Sequence, residues 1–131
     1  MNNGIAKAQQ WTSFLASRAY IPSGDLLLAH FAAGAVTRFC DCGCNSYEIS
    51  VDPAEGLRQL SSPSATGGCV LSLAFKVSGR DDNTTLEFGV HVDTRGYLSG
   101  LDVDFCANSY PVPDSLTLVE PPFHIYGTLV A

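Results

Sequence analysis

From Ile5 onward the apolar positions step by three and four. Ile5, Ala8, Trp11, Thr12 and Leu15 form one stripe, while Lys7, Gln10 and Arg18 fall mostly elsewhere. That period predicts an amphipathic helix over residues 5–19. Pro22 stops it, and Ser23 with Asp25 supplies capping and first-turn chemistry for a second helix over residues 25–33. Leu26, Leu27, Leu28, Ala29, Phe31 and Ala32 surround this second helix almost completely, a pattern that predicts burial. Gly34 is placed to end it in the left-handed conformation.

Beyond Gly34 the period falls to two. A first strand is predicted from Val36 to Val51, bent near Gly43, because a glycine inside a strand often marks a bulge. Asp52-Pro53 closes it. Residues 54–60 read as a short helical turn and residues 61–68, rich in Ser, Pro and Gly, as a surface loop. Leu71, Leu73, Phe75 and Val77 then share one face of a strand over 70–77. Leu86, Phe88, Val90 and Val92 form the next apolar row, and Tyr97, Ser99, Leu101, Val103 and Phe105 the third. These are antiparallel neighbours with one buried and one wet face. Pro111, Pro113, Pro121 and Pro122 exclude regular pairing until an edge strand over 123–129. Two helices followed by strands predict an α+β fold: two N-terminal helices packed on an antiparallel, meander-like sheet, in one domain spanning 1–131.

Register makes this pattern more specific. A two-residue turn at Thr94-Arg95 pairs Val92 with Tyr97 and Phe88 with Leu101, keeping the apolar rows together as burial requires. It also sets Glu87 across from Asp102 on the wet face. A register two residues longer preserves the rows equally well and sets Glu87 against Asp104. Either way carboxylates oppose one another, with His91 on the same side. Like charges directly opposed on a sheet are destabilising, so Glu87, His91, Asp102 and Asp104 become the candidate binding residues. Three uses compete for them: a merely solvated face, a docking surface for a basic protein, and a site for a hard cation.

Cysteine poses a separate question. Cys40, Cys42 and Cys44 alternate with other residues, so on an extended strand they would share a face. Zinc needs four ligands, usually from two separated knuckles, and here the run stands alone. Cys69, Cys106 and His30 are the remaining candidate donors. The plainer expectation is three small apolar residues packed against the helices, with no bound cofactor. A cysteine nucleophile would need a nearby base such as His124, whereas Asp41 and Glu48 would hold a thiol protonated. No Gly-rich phosphate loop, nucleophile elbow or zincin helix occurs.

Composition narrows the classes further. The chain has 131 residues, 46% hydrophobic and 15% charged, with net charge -6. That is enough for one core, and it argues against nucleic acid, whose binding needs clustered Lys and Arg. No apolar run is long enough to span a bilayer. The start Met1-Asn2-Asn3-Gly4 has no leader pattern. With five cysteines, an odd number, it predicts reduced thiols in the cytoplasm.

Two stretches carry a resemblance. Cys42-Gly43-Cys44 leading into Tyr47-Glu48-Ile49-Ser50-Val51-Asp52, and Gly96-Tyr97-Leu98-Ser99-Gly100-Leu101-Asp102-Val103, resemble small bacterial proteins of uncharacterised function. In these a cysteine-glycine strand precedes a Gly-x-Leu-Ser-x-Leu-Glu hairpin. The hairpin is also similar to one in immunity proteins of bacterial toxin systems, which cover a toxin with an acidic surface. Asp102 stands where the commoner acid is Glu, and the segment from Cys106 to Pro122 has no counterpart. The resemblance implies an immunity-type inhibitor. With the paired carboxylates and the net charge it predicts a non-catalytic module that binds a basic protein, with a thiolate metal protein, from the cysteine run, as the alternative and an enzyme as the second.

Overall fold

The computed structural model describes residues 3–40, 44–106, 110–113 and 115–129. The N-terminal stripe becomes the buried face of helix α1, Ile5–Ala16, through Ala8, Trp11, Thr12 and Leu15. Helix α2, Gly24–Ala33, follows at once. Gly24 is needed there because a Cβ at this position would run into the carbonyl of Ala16, the last residue of α1. The two helices have 12 and 10 residues, and no helix among the described residues is long and apolar enough to cross a membrane.

Two expectations about α2 are corrected. It buries only Gly24, Leu27 and His30, leaving Leu28, Ala29 and Ala32 exposed. A short helix held against its neighbours from one side buries one stripe, and its far side, largely alanine, stays wet at little cost. Gly34 is extended rather than left-handed, with φ -95 and ψ 174. A Cβ on Gly34 would meet Ile49 Cδ1 at 2.7 Å and Val51 Cγ2 at 2.8 Å, so close packing, not turn conformation, calls for glycine.

The strands are β1 (Ala35–Phe39), β2 (Tyr47–Ser50), β3 (Gly68–Lys76), β4 (Thr85–Val92), β5 (Leu98–Phe105) and β6 (His124–Gly127). They form one antiparallel sheet in the order β1-β2-β5-β4-β3-β6. The chain is therefore α+β, with helices at the N-terminus and a six-stranded antiparallel sheet after them. The single bent strand expected over 36–51 is instead the hairpin β1–β2, pairing Ala35 with Ser50 and Phe39 with Tyr47. Asp41, Cys42 and Gly43, where the bend was expected, lie outside the described residues.

The connection from β2 to β3 crosses the end of the β4–β5 hairpin. Leu60 and Ser61 N–H groups both donate to the Gly96 carbonyl, at 2.8 and 3.3 Å, and Ser64 N–H donates to Thr94 O at 3.0 Å. Leu60 is fully buried, so this stretch is docked, with a turn only at 55–56 in place of the expected helical one. The tail runs along β3: Leu118 bridges Val77, the chain breaks at Pro121-Pro122, and β6 then pairs with β3. The predicted edge strand is thus present over a shorter span. The core lies between helices and sheet, where Trp11, Phe14, Phe75 and Phe88 pack with ring centroids 5.4–6.0 Å apart. Thr12 Oγ1 and Tyr47 OH, 2.7 Å apart, form a buried polar contact beside them, and burial pushes Tyr47 up to about 12, the Thr12 bond opposing it.

Candidate protein-binding face

The position of every acid on the sheet follows from how β4 meets β5. Asp93 closes the turn: its Oδ1 accepts from the Arg95 and Tyr97 N–H groups at 2.8 and 3.1 Å, and its Oδ2 lies 2.7 Å from Arg95 Nη2. Burial pushes the Asp93 carboxyl up, but these bonds from Arg95 and Tyr97 outweigh it and hold it below the usual range. Past the turn, Val92 pairs with Leu98, but His91 pairs with Gly100, so Ser99 is an extra residue on β5. This bulge turns Leu98 inward, where it is 1% exposed, beside Val92. The row expected to contain Ser99 contains Leu98 in its place.

The consequence is the longer of the two registers. Glu87 faces Asp104, while Asp102 faces Gly89. The opposition of Glu87 to Asp102 does not occur. Asp102 instead reaches His91, with Nε2 to Oδ2 at 2.8 Å, its side chain 65% exposed against 33% for His91. The pair leans over Gly89, where a Cβ would lie 3.4 Å from His91 Nε2, 3.4 Å from Cys69 Sγ and 3.7 Å from Asp102 Cβ. Glycine at 89 leaves room for that diagonal contact. All four candidate residues therefore lie on the face turned away from the core, as alternation along β4 and β5 requires. Glu48 joins them from β2, where it pairs with Gly100 and holds Arg38 of β1 at 3.1 Å.

Arg38, Ser46, Glu48, Asp102 and Asp104, with Cys40, Cys44 and Tyr47, line a shallow cavity of about 300 Å³. Sequence reasoning missed the contributions of Arg38 and Glu48. The signal for them was the alternation of Tyr47-Glu48-Ile49-Ser50, which puts Glu48 on the wet face once the hairpin is known.

The described cysteines fall in three places. Cys40 and Cys44 flank the β1–β2 connection, whose ends are joined by Cys40 N–H to Ser46 O at 3.1 Å and by Asn3 Nδ2 donating to the carbonyls of both Cys40 and Ser46. They do not lie along one continuous strand, and Cys42 lies outside the described residues. Cys69 sits beside His91 at one end of β4, and the Cys106 N–H bonds to Thr85 O at the other. Six residues of strand separate those ends, about 20 Å at the usual rise. Among the described residues no three His, Cys, Asp or Glu side chains are arranged to hold a metal ion.

His30 is committed elsewhere. Its Nδ1 accepts from the Leu98 N–H at 3.2 Å, which leaves Nε2 as the donor to Arg58 O at 2.6 Å. Both ring nitrogens serve the backbone, the ring is fully buried, and burial lowers its pKa. As for a nucleophile, the Cys69 thiol points to Leu71 O at 3.5 Å and burial pushes its pKa up, with Asp102 adding to the rise. His91 spends Nε2 on Asp102, and His124 sits on β6 opposite Ala74, five residues along β3 from Cys69. No family model, curated protein or solved structure matches the chain.

Proposed function

We propose that the chain is a non-catalytic protein-binding module that meets a basic partner through the open face of its sheet. The observation that carries the proposal is the cross-strand opposition of Glu87 and Asp104 on a face turned away from the core, with Asp102 and Glu48 beside them. Opposed carboxylates cost the fold a few tenths of a kcal/mol up to about 1 kcal/mol, and a cationic surface laid over them turns that cost into attraction. The net charge of -6 extends the same field and speeds the encounter. An immunity-type inhibitor, covering a basic toxin, is the form of this activity that the hairpin resemblance favours. Cys40 and Cys44 line the cavity beside these acids, while Cys69 and Cys106 lie at opposite ends of β4, and this reading needs none of them.

The test is capture of a partner from an extract of the organism that encodes the chain, read by mass spectrometry. Glu87→Lys combined with Asp104→Lys is expected to remove the captured basic protein while the folded spectrum is retained. Equal capture by the wild type and the double variant would reject the proposal.

A further inference from the structure

Where α1 meets the tail, the two do not close on each other. Trp11 and Phe14 of α1, with Arg18 just past its end, form one wall of a cleft of about 270 Å³, and Leu116, Leu118 and Glu120 of the tail form the other. Each wall is anchored separately. The rings of Trp11 and Phe14 pack 5.4 and 6.0 Å from that of Phe88 in the core. The tail is held by Ser78 N–H donating to Thr117 O at 2.7 Å and by Val119 N–H donating to Lys76 O at 2.9 Å. Glu120 spans the two walls, its Oε1 accepting from Tyr20 OH at 2.6 Å and standing 3.0 Å from Arg18 Nε.

Two donors bordering this cleft lack an acceptor. Trp11 is 5% exposed, and its Nε1–H is buried with no hydrogen-bond partner. The Arg18 Nε–H is buried too, and despite its distance from Glu120 it is not aligned for a hydrogen bond. A buried donor left without an acceptor keeps its desolvation penalty, which is why a buried indole N–H usually has a partner. We propose that the cleft binds a small uncharged molecule with an apolar body and one carbonyl oxygen, which accepts from Trp11 Nε1–H beside Arg18. The unmatched donors call for the acceptor, and Phe14, Leu116 and Leu118 for the apolar body. Arg18 and Glu120 cancel in charge, so a carboxylate would meet Glu120 and an amine would meet Arg18. The volume lies just below the range of ~300–1,000 Å³ usual for ligand pockets and admits a single ring with a short substituent. Arg18, its side chain one-third exposed and lying 4.1 Å over the Phe14 ring, is the group that turns aside as the molecule enters. The cleft borders α1, on the side of the sheet opposite the acidic face, and the inference stands without the proposed partner.

Trp11 is the one tryptophan of the chain, so its indole N–H gives a single resonance in a nitrogen–proton correlation spectrum of the full chain. Acetophenone is expected to move that resonance downfield until it saturates. Ethylbenzene, a similar body without the oxygen, should bind about tenfold more weakly, the worth of one hydrogen bond. Benzoate should also bind more weakly than acetophenone. Trp11→Phe deletes the donor and keeps an aromatic ring, so its acetophenone affinity, read from the ligand's own signals by saturation transfer, should fall to the ethylbenzene level. Leu118→Phe fills the cleft and should abolish the shift of the indole resonance. The wild-type titrations decide the matter even where a variant fails to fold. No saturable shift up to the solubility limit of acetophenone would overturn the inference. So would ethylbenzene or benzoate binding as tightly as acetophenone, or a folded Trp11→Phe chain that binds it undiminished.

Discussion

His30 of α2 and His91 of β4, on opposite faces of the sheet, are held by opposite means. On the helix-covered face His30 is fully buried, and both nitrogens bond to backbone groups of segments distant in sequence. On the open face His91 is one-third exposed and bonds a side-chain carboxylate that is itself mostly in water. The first arrangement joins α2, the 57–60 segment and the start of β5 into one unit. The second sets the charge and shape of a surface and ties together nothing that the ladder of β4 and β5 does not already hold. Removing polar groups from the two faces should therefore cost very different amounts. Buried partners left without a hydrogen bond keep their desolvation penalty, whereas exposed ones find water.

His30→Leu gives the largest effect. It keeps much of the volume but strands the Leu98 N–H and the Arg58 carbonyl, and it removes the ring that packs 5.1 Å from that of Tyr97, tilted by 36°. A loss of about 2–4 kcal/mol is expected, read as a shifted urea midpoint with an unchanged slope. His91→Leu on the other face should change stability by less than about 1 kcal/mol. Equal losses for the two would show that the faces are not distinct in the way the geometry indicates.

Acid sharpens the same contrast. His30 is neutral in the fold and its pKa is lowered by burial, while in the unfolded chain it titrates near 6.5. Below about pH 6.5 the unfolded state binds the extra proton first, so the neutral ring's contribution is complete above that pH and is lost as pH falls toward the folded value. The slope is at most one proton, about 1.4 kcal/mol per pH unit. Asp93 acts in a lower window. Its folded pKa is held below 3.8, so its contribution is present above about pH 4 and disappears as pH falls through the folded value. Denaturation measured from pH 7 to 3 should show a decline starting near 6.5 that is absent in His30→Gln, with the later decline preserved.

The sequence predicts the covered face far better than the open one. Helical and alternating periods report burial directly, so α1, α2 and the apolar rows of β3, β4 and β5 are visible in it, as is the exclusion of pairing by Pro121 and Pro122. The β1–β2 hairpin is not, because the Cys40–Ser46 stretch carries no Asn-Gly or Asp-Gly turn signature and its alternation reads as one long strand. Register is invisible for a different reason. Sliding β5 by two residues returns the same apolar row to the core, so burial cannot choose between Asp102 and Asp104 as the residue facing Glu87. The bulge at Ser99 and the Asp93–Arg95 turn make that choice. His30 hides its role too, since its partners lie 28 and 68 residues away along the chain.

The smallest effect decides the register energetically and the open face chemically. Glu87→Lys replaces a repulsion across the β4–β5 ladder with an attraction to Asp104, so the variant should be more stable than the wild type by about 0.2–1 kcal/mol. The gain should shrink in high salt, because the pair lies in water. A double-mutant cycle then separates the two acids. Glu87→Gln with Asp104→Asn should show a repulsive coupling, while Glu87→Gln with Asp102→Asn shows little, since Asp102 faces Gly89 and spends its carboxylate on His91. Coupling to Asp102 in place of Asp104 would mean that the shorter register operates in solution. The same Glu87→Lys chain should capture its basic partner less well despite being the more stable protein. A substitution that strengthens the fold while weakening the contact is what a face kept acidic for binding predicts, and a merely solvated face predicts the gain in stability without the loss.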